Sequence, residues 1–193
     1  MHDGSKIVVT RSQSRGGRGE IGQSPIKEQA ISFVLPGSSK SVTWKDEYSE
    51  DVGHSNFELL ALHVLNGASY IVTSPYGSSA YKKWGSPNPP YALFKSNGAT
   101  WQRITLAELP IQFKDMNFTI NSSAHEKKLI EETRKSGYVS AVTIKEFNSS
   151  LTQEELKSVV RAPLEIWKPR LENLSSKAPS PVVTAPTVPS DKK

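Results

Sequence analysis

Short runs of alternating apolar and polar residues occupy the first 120 positions of the chain, and turn-forming residues separate them. Lys6–Arg11 is rich in β-branched residues and predicts a strand, whereas Ser12–Ser24 is rich in glycine and arginine and predicts an exposed loop. Gln29–Leu35 and Lys40–Lys45 lie on either side of Pro36-Gly37, which is typical of a hairpin connection. This part of the chain therefore predicts antiparallel strands.

A second hairpin is predicted at Asn66-Gly67, the dipeptide that most strongly favours a two-residue hairpin turn. Phe57–Leu65 precedes the turn and Ser69–Thr73 follows it. The leucines of the first arm would also suit a helix. Because that arm ends at the turn and meets a β-branched partner, a strand is the favoured interpretation.

A third hairpin is predicted between Tyr91–Lys95 and Thr100–Ile104, which flank the turn Ser96-Asn97-Gly98-Ala99. The chain enters this hairpin through a stiff loop that contains Pro87-Asn88-Pro89-Pro90. Two tryptophans, two tyrosines and a phenylalanine lie between residues 81 and 104. Since large aromatic side chains dominate core energetics, this density of rings indicates a hairpin that is central to the fold.

Helical patterns replace the strands after Thr105. Leu106–Leu109 predicts one helical turn, and Asn117–Ile120 predicts a last short strand. Three helices are then predicted from their capping residues. They are Ala124 to about Lys135, capped by Ser122 or Ser123 and ended by Gly137; a helix from Ser140 to Phe147; and one that begins at the capping-box match Thr152-Gln153-Glu154-Glu155.

Together these elements predict an α+β fold, in which an antiparallel β-meander or small sandwich of hairpins is followed by short helices. The predicted division is a β-rich domain over residues 1–120, helices packed on it over residues 121–174, and a disordered tail over residues 175–193. Proline, serine, alanine, threonine and valine make up most of the tail. That composition favours extended polyproline II conformations and cannot bury a core.

Composition excludes several classes of chemistry. The chain of 193 residues has no cysteine, which excludes disulfides, zinc–thiolate sites and thiol nucleophiles. Its net charge of +5 favours loose association with anionic surfaces but is too small to indicate a nucleic-acid-binding protein. No apolar stretch is long enough to span a membrane, and the first residues do not resemble a signal peptide. A cytoplasmic protein is therefore expected if the chain is complete.

No catalytic residue, cofactor or metal site is predicted. Dinucleotide, phosphate-loop and serine-hydrolase motifs are absent from the sequence. The histidines lack the spacing of metal ligands; they are His2, His54, His63 and His125. His54 follows an acidic segment, Asp46–Asp51, which lacks the ligand spacing of a calcium loop. A solvated charged loop is favoured, and a hydrolase that uses one of these carboxylates with His54 on a glycan or peptide is the alternative.

Aromatic residues near the entrance of the third hairpin form the candidate ligand-binding surface. Tyr81, Trp84 and Tyr91 border the proline-rich loop, where rings on a stiff backbone would suit stacking on a sugar or a peptide. The alternative is that Trp84 and Trp101 are core residues. That alternative is favoured, because large aromatic residues are most often core anchors.

Arg15-Gly16-Gly17-Arg18-Gly19 resembles the Arg-Gly segments that bind single-stranded RNA through charge and stacking. The basic candidates for weak nucleic-acid binding are Arg11, Arg15 and Arg18, with Lys82 and Lys83. One copy of the motif supports such binding poorly, and a flexible hairpin loop is the favoured interpretation.

Longer segments resemble a family of uncharacterised proteobacterial proteins over residues 2–163; among them are HDGSKIVVTRSQSRGGRGEIGQ, PIKEQAISFVLPG, YKKWGSPNPPYALFK and WQRITLAELP. Members of that family usually begin with a hydrophobic segment before the His-Asp-Gly motif. The resemblance therefore implies placement in the cell envelope, periplasmic or anchored in the inner membrane. Family members also tend to have a cysteine near Gly77, where this chain has Ser78, so no role of that thiol is carried over. The resemblance implies no activity, cofactor or catalytic residue.

A non-enzymatic binding or interaction protein of the bacterial envelope is the favoured function. This prediction rests on the resemblance, on the lack of a catalytic constellation and on the aromatic loop. Another envelope protein or a glycan is the expected partner, and nucleic acid is the less favoured one.

Overall fold

The computed structural model describes residues 1–18, 24–120 and 123–165, without the side chains of residues 123–126. The strands are β1 Val9–Arg15, β2 Ile26–Val34, β3 Ser41–Asp46, β4 Phe57–Leu65, β5 Ala68–Pro75, β6 Ala92–Ser96 and β7 Trp101–Ile104. The helices are α1 Gly77–Lys83, α2 Ser123–Ser136, α3 Ala141–Ser149 and α4 Glu154–Lys157. One antiparallel sheet has the order β1-β2-β3 and the other β4-β5-β6-β7, so the predicted α+β fold is confirmed.

The three predicted hairpins all form. In the first, Ile31 pairs with Trp44 and Phe33 with Val42, so their side chains share one face of the sheet. In the second, Asn66 and Gly67 both have positive φ angles, of 52° and 75°, as the two central residues of a type I′ turn require.

The two sheets pack face to face across one hydrophobic core. The first sheet contributes Ile31, Phe33, Val42 and Trp44, and the second contributes Phe57, Leu59, Leu62, Ile71 and Ala92. Each set comes from alternate positions of its strands, except where β4 has an irregular register. This packing is that of a small sandwich.

The other face of the second sheet is covered as well, by the chain after β7 and by α4. This second core joins sheet residues to later ones; it contains Leu60, Tyr70, Val72, Tyr91, Leu93, Leu109, Phe113, Met116, Ile120 and Leu156. Because both faces of the sheet are covered, β4 is apolar almost throughout instead of alternating. That explains the helix-like leucine pattern of a segment that is a strand.

The predicted strand Asn117–Ile120 is wrong. The amides of Asn117 and Phe118 both donate to the carbonyl of Leu60, which lies where the β4 register shifts. The Asn117 side chain accepts from the Leu62 amide at 2.9 Å and donates to the Leu62 carbonyl at 2.7 Å. The Asn117 side chain therefore forms the hydrogen bonds with the outer edge of β4 that the backbone of another strand would form.

Strand β1 and helix α1 also differ from prediction. The strand continues through Ser12–Arg15, which the sequence predicts as loop, because backbone pairing with β2 needs no apolar side chains at an exposed edge. Helix α1 falls within a segment where no helix is predicted. It has no side-chain N-cap and buries only Gly77 and Ala80, so the chain carries little helical signal there.

The C-terminal helices follow their predicted caps only in part. Ser140 caps α3 as predicted, accepting from the Thr143 amide at 3.1 Å. The capping-box prediction is wrong, because α4 is a single turn whose N-cap, Gln153, makes no side-chain cap hydrogen bond. The predicted cap Ser122 and the predicted tail, residues 175–193, lie outside the described residues.

Candidate functional site

A cleft of about 510 Å³ opens beside the end of β3. Its walls come from the loop that joins β3 to β4, from the end of α1 and from β6 and β7. Its aromatic lining is Trp44, Tyr48, Phe57, Trp84, Phe94 and Trp101. Its polar lining is Lys45, Asp46, Glu47, Ser49, Glu50, Asp51, Asn56 and Lys83. We call this site the aromatic cleft.

Four rings of the aromatic cleft, those of Trp44, Phe57, Trp84 and Phe94, form a connected cluster. The Phe57 ring centroid lies 4.6 Å from that of Trp84 and 5.5 Å from that of Phe94, and Trp44 lies 6.3 Å from Phe94. Trp44 and Phe57 are buried, whereas Trp84, Phe94 and Trp101 are partly exposed. The cleft therefore has a buried aromatic floor with ring surface left at its opening, which suits stacking on a ligand.

Trp84 combines both roles that the sequence suggests for it. Its ring packs on the core through Phe57, and its Nε1 donates to Asn56 Oδ1 at 3.2 Å. The Arg103 guanidinium lies 5.3 Å from the ring centroid and donates to the Trp84 carbonyl at 3.0 Å. These contacts fix the orientation of the ring while leaving part of it in the cleft.

Trp101 joins the two sheets at the cleft. It begins β7, and its Nε1 donates to the carbonyl of Thr43 in β3 at 2.7 Å. The aromatic cleft therefore lies at a junction that depends on long-range packing.

The structure does not bring Tyr81 and Tyr91 to the cleft lining with Trp84. Tyr91 is only 6% exposed and belongs to the other core, where its hydroxyl lies 3.0 Å from the Glu155 carbonyl and accepts from the Val160 amide at 3.2 Å. Burial raises the pKa of Tyr91 far above its usual value. Tyr81 is half-buried on α1, and burial raises its pKa as well.

Asp46 does not belong to a solvated loop, which corrects that prediction for this residue. It is buried at the end of β3, and Oδ1 accepts from the amide and the Nδ2 of Asn56 at 3.0 and 3.1 Å. Oδ2 accepts from the Phe57 amide at 2.8 Å and from Gln29 Nε2 at 3.4 Å. Burial raises the pKa of Asp46, and these hydrogen bonds oppose the rise. The carboxylate therefore fixes the start of β4.

Ser49, Asp51 and Lys83 form a polar contact across the rim of the cleft. Lys83 Nζ donates to Ser49 Oγ at 2.6 Å and to Asp51 Oδ1 at 2.8 Å, and Ser49 Oγ donates to the same carboxylate at 2.5 Å. These hydrogen bonds lower the pKa of Asp51 to about 2. A serine–lysine hydrolase needs a neutral lysine to act as base. An ammonium group bound to a carboxylate instead ties α1 to the acidic loop.

His54 is not among the residues that line the aromatic cleft. It is buried, its Nδ1 lies 2.7 Å from the Ser55 carbonyl, and its ring centroid lies 5.1 Å from that of Tyr76. The acidic residues do lie beside Trp84, as the hydrolase alternative requires, but the histidine that would work with them does not line the same space.

The three candidate arginines have different surroundings. Arg11 donates to the Thr119 carbonyl at 3.1 Å and to Gln29 Oε1 at 3.2 Å, and burial lowers its pKa to about 10. Arg15 donates to the Ser24 carbonyl at 3.2 Å, and Arg18 contacts both the carbonyl and the carboxylate of Glu50. Arg11 is therefore a packing residue, whereas Arg15 and Arg18 are exposed.

The described residues hold no cluster of three or more side chains suited to bind a metal ion. Within the same residues, no helix is both long enough and apolar enough to cross a membrane. The chain matches no protein-family model, no curated protein and no solved structure.

Sequence reasoning missed most of the cleft. It singles out Trp84 and the acidic segment separately, but nothing in the sequence joins one to the other or to Phe94 and Trp101. These residues lie on different elements, and only the packing of the two sheets places them around one space.

Proposed function

We propose that this protein is a non-enzymatic binding protein of the bacterial envelope, and that its aromatic cleft holds an extended segment of a partner protein. The partly exposed Trp84 ring, fixed at the opening of a cleft with an acidic rim, is the observation that carries this proposal. Aromatic rings offer large contact area at a low cost in conformational entropy, which is why they dominate protein recognition sites.

The edge of β3 favours a peptide over a glycan. The Leu35 amide donates to the Lys40 carbonyl, so residues 35 and 40 form a hydrogen-bonded pair. Such pairs alternate along an antiparallel ladder, so the N–H and C=O groups of Trp44 and Asp46 also point toward β2. The backbone of Lys45 therefore points away from β2, and Lys45 lines the cleft. An exposed strand edge of this kind provides hydrogen bonds to an extended chain.

The positions of His54 and Lys83 support the non-enzymatic part of the proposal. His54 is buried outside the cleft lining, and Lys83 is engaged by Asp51. Envelope placement is proposed on the resemblance to proteobacterial proteins that carry a hydrophobic N-terminal segment. Protein produced from its natural gene is expected to fractionate with the envelope, and recovery in the cytosolic fraction would contradict that placement.

Ligand binding can be tested on the full chain by following the indole N–H signals of ¹⁵N-labelled protein by NMR. Proline-rich peptides with basic flanks and soluble oligosaccharides are the probes. We expect the peptides to shift the Trp84 and Trp101 signals saturably, and Trp84→Phe to weaken binding by about tenfold, since a central aromatic contact contributes roughly 1–2 kcal/mol. Saturable shifts with oligosaccharides alone would contradict a peptide ligand.

Ile111→Ser is the matched control, because Ile111 is an exposed apolar residue that does not line the cleft. Its peptide affinity should equal that of the unchanged protein. Equal affinities for Trp84→Phe and Ile111→Ser would place the binding surface elsewhere and contradict the proposal.

A further inference from the structure

We propose that the proline-rich segment of this same chain, residues 175–193, occupies the aromatic cleft and competes there with the partner. This inference rests on the proposed function, because it names the peptide that the cleft holds when no partner is bound. It assigns the segment the role of an intramolecular competitor.

The segment has the sequence of a ligand for an aromatic groove. Pro186-Thr187-Val188-Pro189 has prolines at the spacing of one polyproline II turn, and Pro179 and Pro181 precede it. Grooves lined by aromatic residues bind such segments because the ligand is already extended and loses little entropy on binding. Proline also lacks an amide donor, so Pro186-Thr187-Val188-Pro189 offers four carbonyl acceptors but only two amide donors. The Lys45 amide at the edge of β3 can donate to one of these carbonyls.

The described part of the chain ends just after a contact with Asn88. The Leu164 amide donates to Asn88 Oδ1 at 2.8 Å, and Asn88 Nδ2 donates to the Leu164 carbonyl at 2.9 Å. Asn88 is four residues after Trp84, so their Cα atoms are at most about 14 Å apart. The paired contact therefore holds Leu164, eleven residues before the proline-rich segment, against a residue that follows Trp84 closely along the chain.

The segment is long enough to reach the cleft from that point. Pro179 lies fifteen residues after Leu164, and an extended polyproline II chain of that length would span about 45 Å. That reach is several times the separation between Asn88 and Trp84. A ligand on such a tether has an effective concentration of the order of millimolar, so even weak intrinsic affinity fills the cleft.

Opposite charges also favour binding of the proline-rich segment in the aromatic cleft. Glu47 and Glu50 are exposed on the rim, and Glu50 has a charged contact, at 3.5 Å, with Arg18. No described residue forms an ion pair with Glu47. The segment ends in Lys192 and Lys193, which can approach this rim when the prolines lie on the rings.

A nitroxide attached to Ser180→Cys in the full chain tests the proposal, and the absence of any natural cysteine makes the label unique. We expect it to broaden the Trp84 and Trp101 indole signals. An excess of a synthetic peptide of residues 175–193, added in trans, should restore both signals, whereas a peptide of scrambled sequence should not. Broadening that the synthetic peptide leaves unchanged would overturn the inference.

Charge reversal provides a second arm. Glu47→Lys combined with Glu50→Lys should reduce the broadening at least threefold, and the matched pair Glu131→Lys with Glu146→Lys, exposed on α2 and α3, should not. Equal effects of the two pairs would count against the inference.

Samples that mix labelled and unlabelled chains distinguish a segment from the same chain from a segment of a second copy. Broadening of ¹⁵N-labelled, nitroxide-free chains by nitroxide-labelled, unenriched chains would assign the occupant to a second copy and overturn the same-chain proposal. If an unrelated proline-rich peptide shifts the Trp84 signal but the nitroxide does not broaden it, the inference fails and the proposed function stands. If neither the peptide nor the nitroxide affects the Trp84 signal, the inference and the proposed function both fail.

Discussion

Individual residues of the Arg-Gly segment are explained by the acidic loop that they contact. The Arg18 amide donates to the Gly53 carbonyl at 2.7 Å, and Gly17 lies against the same carbonyl. A Cβ on Gly17 would stand 2.4 Å from that oxygen, and Gly17 has a φ of +94°. Here glycine permits close approach of two loops, a role that needs no nucleic acid. Binding of nucleic acid by the exposed Arg15 and Arg18 stays a prediction.

Gly17→Ala should destabilise the protein more than Gly37→Ala. Both glycines have positive φ angles, but a Cβ on Gly37 would meet nothing within 4 Å. The control should therefore lose only about 1–2 kcal/mol, the cost of a left-handed conformation. Gly17→Ala adds the clash with Gly53 and should lose roughly 2–4 kcal/mol. Urea unfolding measures both, and equal losses would show that the two loops do not meet as described.

At the level of elements, the outer edge of β4 is protected without another strand. Exposed strand edges invite pairing with other chains, and proteins cover them with loops or irregular structure. Here the backbone of Asn117 and Phe118 meets Leu60, and the Asn117 side chain meets Leu62. The segment Asn-Phe-Thr-Ile has the composition of a strand. Instead of pairing as a strand, it bonds the backbone of Leu62 through the side chain of Asn117.

Asn117→Ala should expose this edge. It removes both partners of the Leu62 backbone, so the free energy of unfolding should fall by about 1–3 kcal/mol. Hydrogen exchange at the Leu62 amide should accelerate, and urea unfolding should report the loss. Asn97→Ala, in the exposed turn between β6 and β7, is the control and should change neither quantity by more than about 0.5 kcal/mol. Unchanged Leu62 exchange in Asn117→Ala would contradict this account of the edge.

Two hydrophobic cores lie on opposite faces of the second sheet, and they hold the whole molecule together. A histidine, His63, is buried in the core that contains Phe113. His63 is 1% exposed, stacks on Phe113 with ring centroids 4.4 Å apart, and its Nε2 lies 3.1 Å from the Asp115 carbonyl. Burial lowers the pKa of His63 from 6.5 to about 4. The ring of His2 lies 6.5 Å away.

Global stability should therefore decline in mild acid. Above pH 6.5 His63 is neutral in both states; between pH 6.5 and about 4 the unfolded state binds the proton more readily, so stability falls as the pH falls. The loss from this residue approaches about 3 kcal/mol at pH 4. His63→Gln keeps a donor for the Asp115 carbonyl but cannot titrate, so its urea unfolding should lose about 3 kcal/mol less between pH 7 and pH 4. Parallel pH profiles of the two proteins would contradict a buried neutral histidine.

The sequence by itself determined the β-hairpins and most of the later helices. Asn66-Gly67 fixes its turn through backbone conformations that few other residues adopt, and the alternation in β2 and β3 fixes which side chains face inward. Such signals are local, so neighbouring residues suffice to read them. Short elements with weak local signals, such as α1, could not be found in this way.

Only the tertiary structure decided the site. Trp84 is predicted as a core residue or as a ligand-binding residue. In the structure its ring packs on the core through Phe57 and also lines the aromatic cleft. Tyr91 is predicted beside it, yet Tyr91 immediately precedes β6 and shares the opposite core with Leu93, whereas Ala92 between them faces the other core. The aromatic cleft gathers residues that are distant along the chain, and contacts of that kind follow from the packing of whole elements, which no local pattern encodes.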